Sequence, residues 1–407
     1  MHPCLKLKTQ VDQRMKLDVP GFRVQIFNTI EEASFYWKTL QPSQQTLLQF
    51  SYLQANEKCP PHGMQFRYLV FFSGDQACGI IPCQILDVDF RNSYRPLQPT
   101  RGLQRILTNW IMSFKYRVLV CGNSAITGPY GFWFLDIPEA QQVKLVEEGM
   151  QRLQEQLQRE GTRITGTFIK DYDPKDLPAL AQHLDAKDYL GFDFQPAMDM
   201  PLQTHWNTMD DYLNDLSSKY RVRFRRARKK AAPLKARELS AEEVEREKAN
   251  LYKLYREVAD TAELNVIFLP KNYFSNLKRH LGDRFKIKGY YKDHELVGFC
   301  SAIISEAGVE AHYLGYTPEI NQETQLYLNI LYSLVEMGIE SQAPVLHFAR
   351  TAMEIKSSVG ARPKNLRAYF KFRNPLFHWF FKLAYSTLEP EPLQWRQRHP
   401  FKSAAPV

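Results

Sequence analysis

The 407 residues contain no P-loop, no G-x-G-x-x-G, no H-E-x-x-H and no G-x-S-x-G. P-loop phosphate hydrolysis, zinc-protease chemistry and the serine-hydrolase elbow are thereby excluded. Cysteine is scarce: Cys4, Cys59, Cys78, Cys83, Cys121 and Cys300 form no C-x-x-C and no paired zinc spacing. Cys78, Cys83, Cys121 and Cys300 lie in apolar runs, as buried free thiols do, and this suits a reducing cytoplasm. The ten histidines are scattered, so no metal is expected. No apolar stretch is long enough for a secretory signal or a transmembrane segment, which makes a soluble cytoplasmic protein the expectation. Acidic residues are the minority, 44 against 53 Lys and Arg, for a net charge of +9. That surplus favours an anionic partner such as a phosphorylated cofactor, RNA or an acidic membrane surface.

The positive charge is concentrated in one stretch. Residues 206–231, WNTMDDYLNDLSSKYRVRFRRARKKA, read as one helix with a capping box at Thr208–Asp211. Leu213, Leu216, Tyr220, Phe224, Ala227 and Ala231 form its apolar stripe. Arg225, Arg226 and Lys229 belong to a run free of acids, either a solvated face or a surface for an anionic donor.

Around this helix the chain repeats a plan of hairpin, strand, helix and strand. Hairpins are predicted over 66–89 and 284–305, and SGDQACGIIPCQ aligns with KDHELVGFCSAI, placing Gly79 beside Gly298. The expected fold class is α/β (α+β), with two tandem domains, 1–203 and 204–407, the basic helix spanning 208–231 of the second. Each domain would hold a mixed, mostly antiparallel sheet flanked by helices.

Three stretches carry side chains suited to chemistry. On the predicted strand Val309–Tyr316, alternation puts Glu310, His312, Leu314 and Tyr316 on one side, neighbours roughly 6.5–7 Å apart. Glu310 or His312 can serve as a base toward an amine, and Tyr316 as an acid toward a leaving group; a polar edge-strand face is the alternative. In HFARTAMEIKSSVGA, Arg350, Thr351 and Lys356 stand where a strand runs into a helix, a place for a phosphate or carboxylate. Pairing of Glu354 with Arg350 to pin the turn is the alternative. The turn GNSAITGPYG, residues 122–131, is read as a structural loop or a close approach to a ligand. The aromatic segment 375–385 is read as packing against its domain, with peripheral membrane contact or an acyl-chain site as the alternative.

DDYLNDLSSKYRVRFRRARKKA, HFARTAMEIKSSVGARP, WRQRHPFK and the turn CGNSAITGPYGF together resemble the tandem-GNAT, FemAB-like acyltransferases of many bacteria, particularly Bacteroidetes. The resemblance covers most of the chain. It implies two GNAT-type domains and N-acyltransfer: an acyl or aminoacyl group passes from an activated donor to a small-molecule or peptide amine acceptor. The donor would be acyl-CoA, an acyl carrier protein or, in FemAB-type cell-envelope peptide synthesis, aminoacyl-tRNA. The acyl-CoA pyrophosphate signature is absent from 316–325 and from 350–360. A non-catalytic protein that binds RNA or another anion through the basic helix is the reading from a different class.

Overall fold

A computed structural model describes residues 14–40, 46–89, 113–261, 267–385 and 395–402. Sixteen strands appear in chain order among these residues. In the first half they are β1 (Met15–Lys16), β2 (Phe22–Phe27), β3 (Met64–Ser73), β4 (Gln76–Asp89), β5 (Lys115–Cys121), β6 (Trp133–Phe134), β7 (Gly166–Tyr172), β8 (Leu190–Asp193) and β9 (Ala197–Pro201). The second half supplies β10 (Lys235–Glu238), β11 (Phe285–Lys292), β12 (Glu295–Ser305), β13 (Gly308–Tyr316), β14 (Val345–His347), β15 (Arg362–Lys364) and β16 (Arg367–Phe372). Two mixed sheets result, with helices packed on them. One has the order β1-β2-β3-β4-β5-β7-β16-β8, with β6 beside β4; the other is β10-β11-β12-β13-β14-β9-β15.

Each sheet has one strand pair made parallel by a crossover helix. Glu139–Arg159 connects β5 to β7, and Leu326–Glu340 lies between β13 and β14. The two hairpins are built alike. Gly79 pairs with Phe71 and Gly298 with Tyr290, each beside a one-residue shift of register. A Cβ at Gly79 would fall 2.0 Å from the Phe134 ring, and one at Gly298 2.6 Å from Leu326. In both halves the glycine therefore admits an apolar side chain against the hairpin. The turn of the second hairpin has Asp293 and His294 at positive φ, which matches the twist of the strands.

Alternation divides the cores. On β3, Tyr68, Val70 and Phe72 face a cluster shared with Leu251, Tyr255, Tyr273 and Phe285 of the second half, while Leu69 and Phe71 face the helix Glu139–Arg159. The two halves are thus joined by common apolar packing. Cys59, Cys78, Cys83, Cys121 and Cys300 are buried and free; Cys4 lies outside the described residues. No helix among the described residues is long and apolar enough to cross a membrane. Helix Pro375–Tyr385 turns Phe377 and Phe381 onto Phe372, with ring centroids at 4.7 and 4.9 Å, and leaves Leu376 and Trp379 exposed.

Two expectations are corrected. Residues 206–231 form two helices, Met209–Asp215 and Ser218–Lys230, rather than one. The capping box at Thr208 is present, but Leu216 is extended and bridges Phe401. Ser217 donates to the Pro400 carbonyl (2.8 Å) and Lys402 to that of Asp215 (3.0 Å). The chain terminus competes for the backbone groups that a continuous helix would use, and Phe401 seals the break against Trp206 and Tyr212. The second correction concerns 189–201, the stretch just before the domain boundary expected at 203. It splits between β8 in the first sheet and β9 in the second, while β16 returns from the second half into the first sheet. The chain therefore crosses between sheets at 194–196 and again at 365–366. The boundary expected at 203 coincides with neither crossing.

Candidate functional site

A row of three side chains lies across the second sheet beside these crossings. Glu310 on β13 is the register partner of His347 on β14, and His347 that of Asp199 on β9. His347 Nδ1 is 2.9 Å from Asp199 Oδ1, which makes it the donor there, and its Nε2 is 3.8 Å from Glu310 Oε1. From the first half, Tyr130 donates its hydroxyl hydrogen to Glu310. Buried Glu310 and part-buried Tyr130, Asp199 and His347 stand in the wall of a cavity of about 160 Å³. Lys364 and Leu366 at the second crossing complete it.

Burial raises the Glu310 pKa above the usual carboxylate range, against the opposing pull of His347 and the Tyr130 hydrogen bond. Burial disfavours charge on His347, but the Glu310 and Asp199 carboxylates outweigh it and raise its pKa to about 9. Burial first, then the adjacent Glu310 charge, lifts Tyr130 well above the ordinary phenol value. A raised histidine pKa stabilises the fold fully below about pH 6.5, and the contribution is lost as pH rises through about 9. NMR titration should accordingly find the His347 ring changing near pH 9. Asp199→Asn should move that midpoint down toward the ordinary histidine value; an unmoved midpoint would show that the carboxylate does not set it.

Tyr130 is delivered by the turn 122–131, whose backbone groups are stitched to side chains. Lys170 Nζ donates to the carbonyls of Asn123 (2.9 Å) and Ile126 (3.0 Å), and Gln84 accepts from Ser124 N–H (2.8 Å). Asp171 accepts from Gly128 N–H (3.1 Å), Tyr172 OH from Gly131 N–H (3.0 Å), and Tyr313 OH of the second half donates to the Ala125 carbonyl (2.8 Å). Glycine is required at two places. Gly128 has φ +144°, and a Cβ at Gly131 would lie 2.4 Å from the Tyr172 hydroxyl. These bonds hold the turn in place, and Thr127, Gly128, Pro129 and Tyr130 line the cavity.

The shared side expected for Glu310, His312, Leu314 and Tyr316 is not what β13 has. Its pairing with β12 shifts opposite Ser301, whose hydroxyl bonds to both the N–H and the carbonyl of Tyr313. Past this bulge the alternation is reversed. Leu314 and Tyr316 join the core under helix Leu326–Glu340, and Tyr316 meets Tyr327 at 5.9 Å. His312 stays on the Glu310 side but inside an aromatic cage, stacked on Tyr273 and edge-on to Phe285 and Tyr313. Its nitrogens face Tyr273 OH (3.2 Å) and Ser301 Oγ (3.4 Å). Burial lowers its pKa to about 3, far too low for a base near neutrality.

The strand-to-helix segment also differs from expectation. Ala349, Thr351 and Ala352 all have positive φ. Lys356 is buried and turns inward, donating to the carbonyls of Phe348 (2.6 Å) and Arg350 (2.6 Å). Burial lowers its pKa to about 7. Arg350 donates to Asp171 (2.6 Å) and to the Gln195 carbonyl (2.9 Å), so it latches the second half to the first. Glu354 pairs with Arg398 rather than with Arg350. Thr351 is exposed, and Arg225, Arg226 and Lys229 are exposed on the basic helix, with no ion pair among the described residues.

Sequence reasoning missed Tyr130, Asp199, His347 and Lys364. Asp199 left one trace, a carboxylate within the apolar strand AMDMP. His347 stood at the edge of a stretch already singled out.

A family model described as peptidoglycan biosynthesis/recognition, FemAB-like, matches residues 137–387. Among solved structures, FemX covers 88% of this chain and 100% of its own, at 11% identity and a TM-score of 0.53. A tandem GNAT protein from the clavulanic acid biosynthesis pathway covers 87% and 99%, at 12% identity and 0.49. A probable N-acyltransferase from Enterococcus faecalis V583 covers 86% and 72%, at 10% identity and 0.44. No curated protein matches. FemX shares the fold, and the family match spans more than half of the chain. This protein belongs to the FemAB-like family.

Proposed function

We propose that the protein is an N-acyltransferase that moves an acyl or aminoacyl group from an activated donor to an amine, with Glu310 as general base. The observation that carries this reading is the buried Glu310 carboxylate, bonded to Tyr130 and facing His347 in a cavity where the chain crosses between sheets. In a chain of net charge +9, that cavity holds two carboxylates. They give an ammonium acceptor carboxylate partners there, beside the His347 and Lys364 cations of the same wall. Glu310 takes the ammonium proton, and the freed amine attacks the donor carbonyl. As the C–N bond forms and the donor's C–O or C–S bond breaks, Tyr130 gives its proton to the departing atom and recovers one from Glu310, which then takes the surplus proton from the new amide nitrogen and releases it to solvent. Asp199 orients His347, whose positive charge keeps Glu310 available for proton exchange. Much of the rate would come from holding an already activated donor against the amine.

The exposed Arg225, Arg226 and Lys229 favour a polyanionic donor, and they support aminoacyl-tRNA over acyl-CoA. The role first expected for Arg350 and Lys356 as donor ligands loses support, because both are committed to internal bonds. Thermal unfolding with acyl-CoA, acyl carrier protein or aminoacyl-tRNA tests the donor. A ligand at about 100 times its dissociation constant should stabilise the fold by about 2.7 kcal/mol. Arg225→Glu with Arg226→Glu should remove a tRNA-dependent shift. A shift from acyl-CoA alone, untouched by these changes, would overturn the tRNA reading.

A further inference from the structure

One buried carboxylate that takes no part in the proton transfers stands between the two segments that carry the site. Asp171, near the end of β7, is fully buried, and among the described residues its hydrogen-bond partners are all donors. Its Oδ2 accepts from Gly128 N–H (3.1 Å) and from the Lys170 ammonium, and its Oδ1 from Arg350 (2.6 Å). Gly128 is in the first half, just before Tyr130, and Arg350 is in the second, just after His347. Both connections are short. A Cβ at Gly128 would fall 2.3 Å from the Tyr130 ring, so the phenol rests directly on the peptide that Asp171 holds. On the other side, buried Lys356 gathers the carbonyls of Phe348 and Arg350, which keeps Ala349, Thr351 and Ala352 at positive φ. A β-branched residue such as Thr351 adopts that conformation only where its surroundings impose it.

We propose that Asp171 is a positioning residue: by holding Gly128 on one oxygen and Arg350 on the other, it sets the Tyr130 hydroxyl of the first half against Glu310 of the second. The catalytic consequence rests on the acyl-transfer reading, whereas the contact itself can be followed without turnover. Asparagine separates this role from volume and backbone. It has the size of aspartate and tolerates φ +67°. Its amide, however, has one accepting oxygen, and its NH2 group must face a donor. One arm of the link therefore opens.

The test is a 13C NMR titration of the full chain labelled at its glutamate carboxyls, with the Glu310 resonance identified by its loss in Glu310→Gln. Wild type is compared with Asp171→Asn, Tyr130→Phe and Gly128→Ala, each checked for folding by thermal melt. Tyr130, His347, Asp199 and Lys364 share the cavity wall with this carboxyl, and the Tyr130 hydrogen bond holds its pKa down. Asp171→Asn should therefore raise the Glu310 midpoint, in the same direction as Tyr130→Phe and Gly128→Ala. Loss of a negative charge by itself would move the midpoint down, so the sign separates repositioning from electrostatics. In turnover, Asp171→Asn should lower kcat by about 10²-fold for donors with a poor leaving group, and far less for good ones. It should add no further loss in Tyr130→Phe. An unmoved or lowered Glu310 midpoint in Asp171→Asn would overturn the proposal. So would a kcat loss that ignores the leaving group and multiplies that of Tyr130→Phe. A raised midpoint in a chain that transfers no acyl group from any donor would instead overturn the acyl-transfer reading and keep the positioning of Tyr130.

Discussion

Glu310→Gln should lower kcat by about 10²- to 10⁴-fold, the usual contribution of a positioned base, while moving KM far less. Glutamine keeps the size of the side chain and an oxygen that accepts from Tyr130, so the cavity retains its shape. What it cannot do is take a proton. Because burial raises the Glu310 pKa, the native carboxylate sits closer to neutrality than an exposed glutamate, where proton transfer from an amine is best driven. The ratio of kcat values at fixed pH is the readout. A variant that folds normally and retains full turnover would sink Glu310 as the base. Equal loss in a buried apolar substitution elsewhere on β13 would show that the effect was structural. Tyr130→Phe gives a finer check: it should spare donors with a good leaving group and penalise poor ones, because only the latter need the tyrosine's proton.

The second large effect is on stability. Asp171→Ala should cost about 3–5 kcal/mol, the range for breaking a buried ion pair by removing one partner. Asp171 is fully buried and accepts from the Lys170 ammonium, the Arg350 guanidinium and Gly128 N–H. Burial by itself would raise its pKa, but the Lys170 and Arg350 charges prevail and lower it. Its stabilising contribution is therefore complete above the ordinary carboxylate value and disappears as pH falls below it. Two effects add in the alanine variant. The cations lose their counter-charge, and a residue at φ +67° loses the side chain type that tolerates that conformation. Asp171→Asn isolates the charge, because asparagine also accepts positive φ. Chemical denaturation of Asp171→Asn, Arg350→Met and the Asp171→Asn/Arg350→Met double variant, alongside the alanine variant, gives the coupling. A loss below about 1 kcal/mol for alanine would mean that the latch between the halves adds little.

How much of this was legible in advance follows from the range of the forces involved. Both hairpins, the capping box at Thr208, the crossover helices and the strand 308–316 depend on turn chemistry, side-chain period and caps, all set within a few residues. The helix spanning 206–231 was misread because its pattern is helical throughout, and the interruption comes from a terminus nearly two hundred residues away bonding at Asp215 and Ser217. The row at the site was invisible for the same reason. Glu310, His347 and Asp199 are neighbours only because β9 leaves its own half to pair with β14. A single bulge opposite Ser301 then decided which side chains of β13 look into the cavity and which into the core. The sequence alone therefore determined the local elements, the repeated plan and the basic run that forms helix Ser218–Lys230. The tertiary structure alone decided the partners of Glu310, because strand register and sheet exchange join residues whose separation along the chain carries no periodic signal.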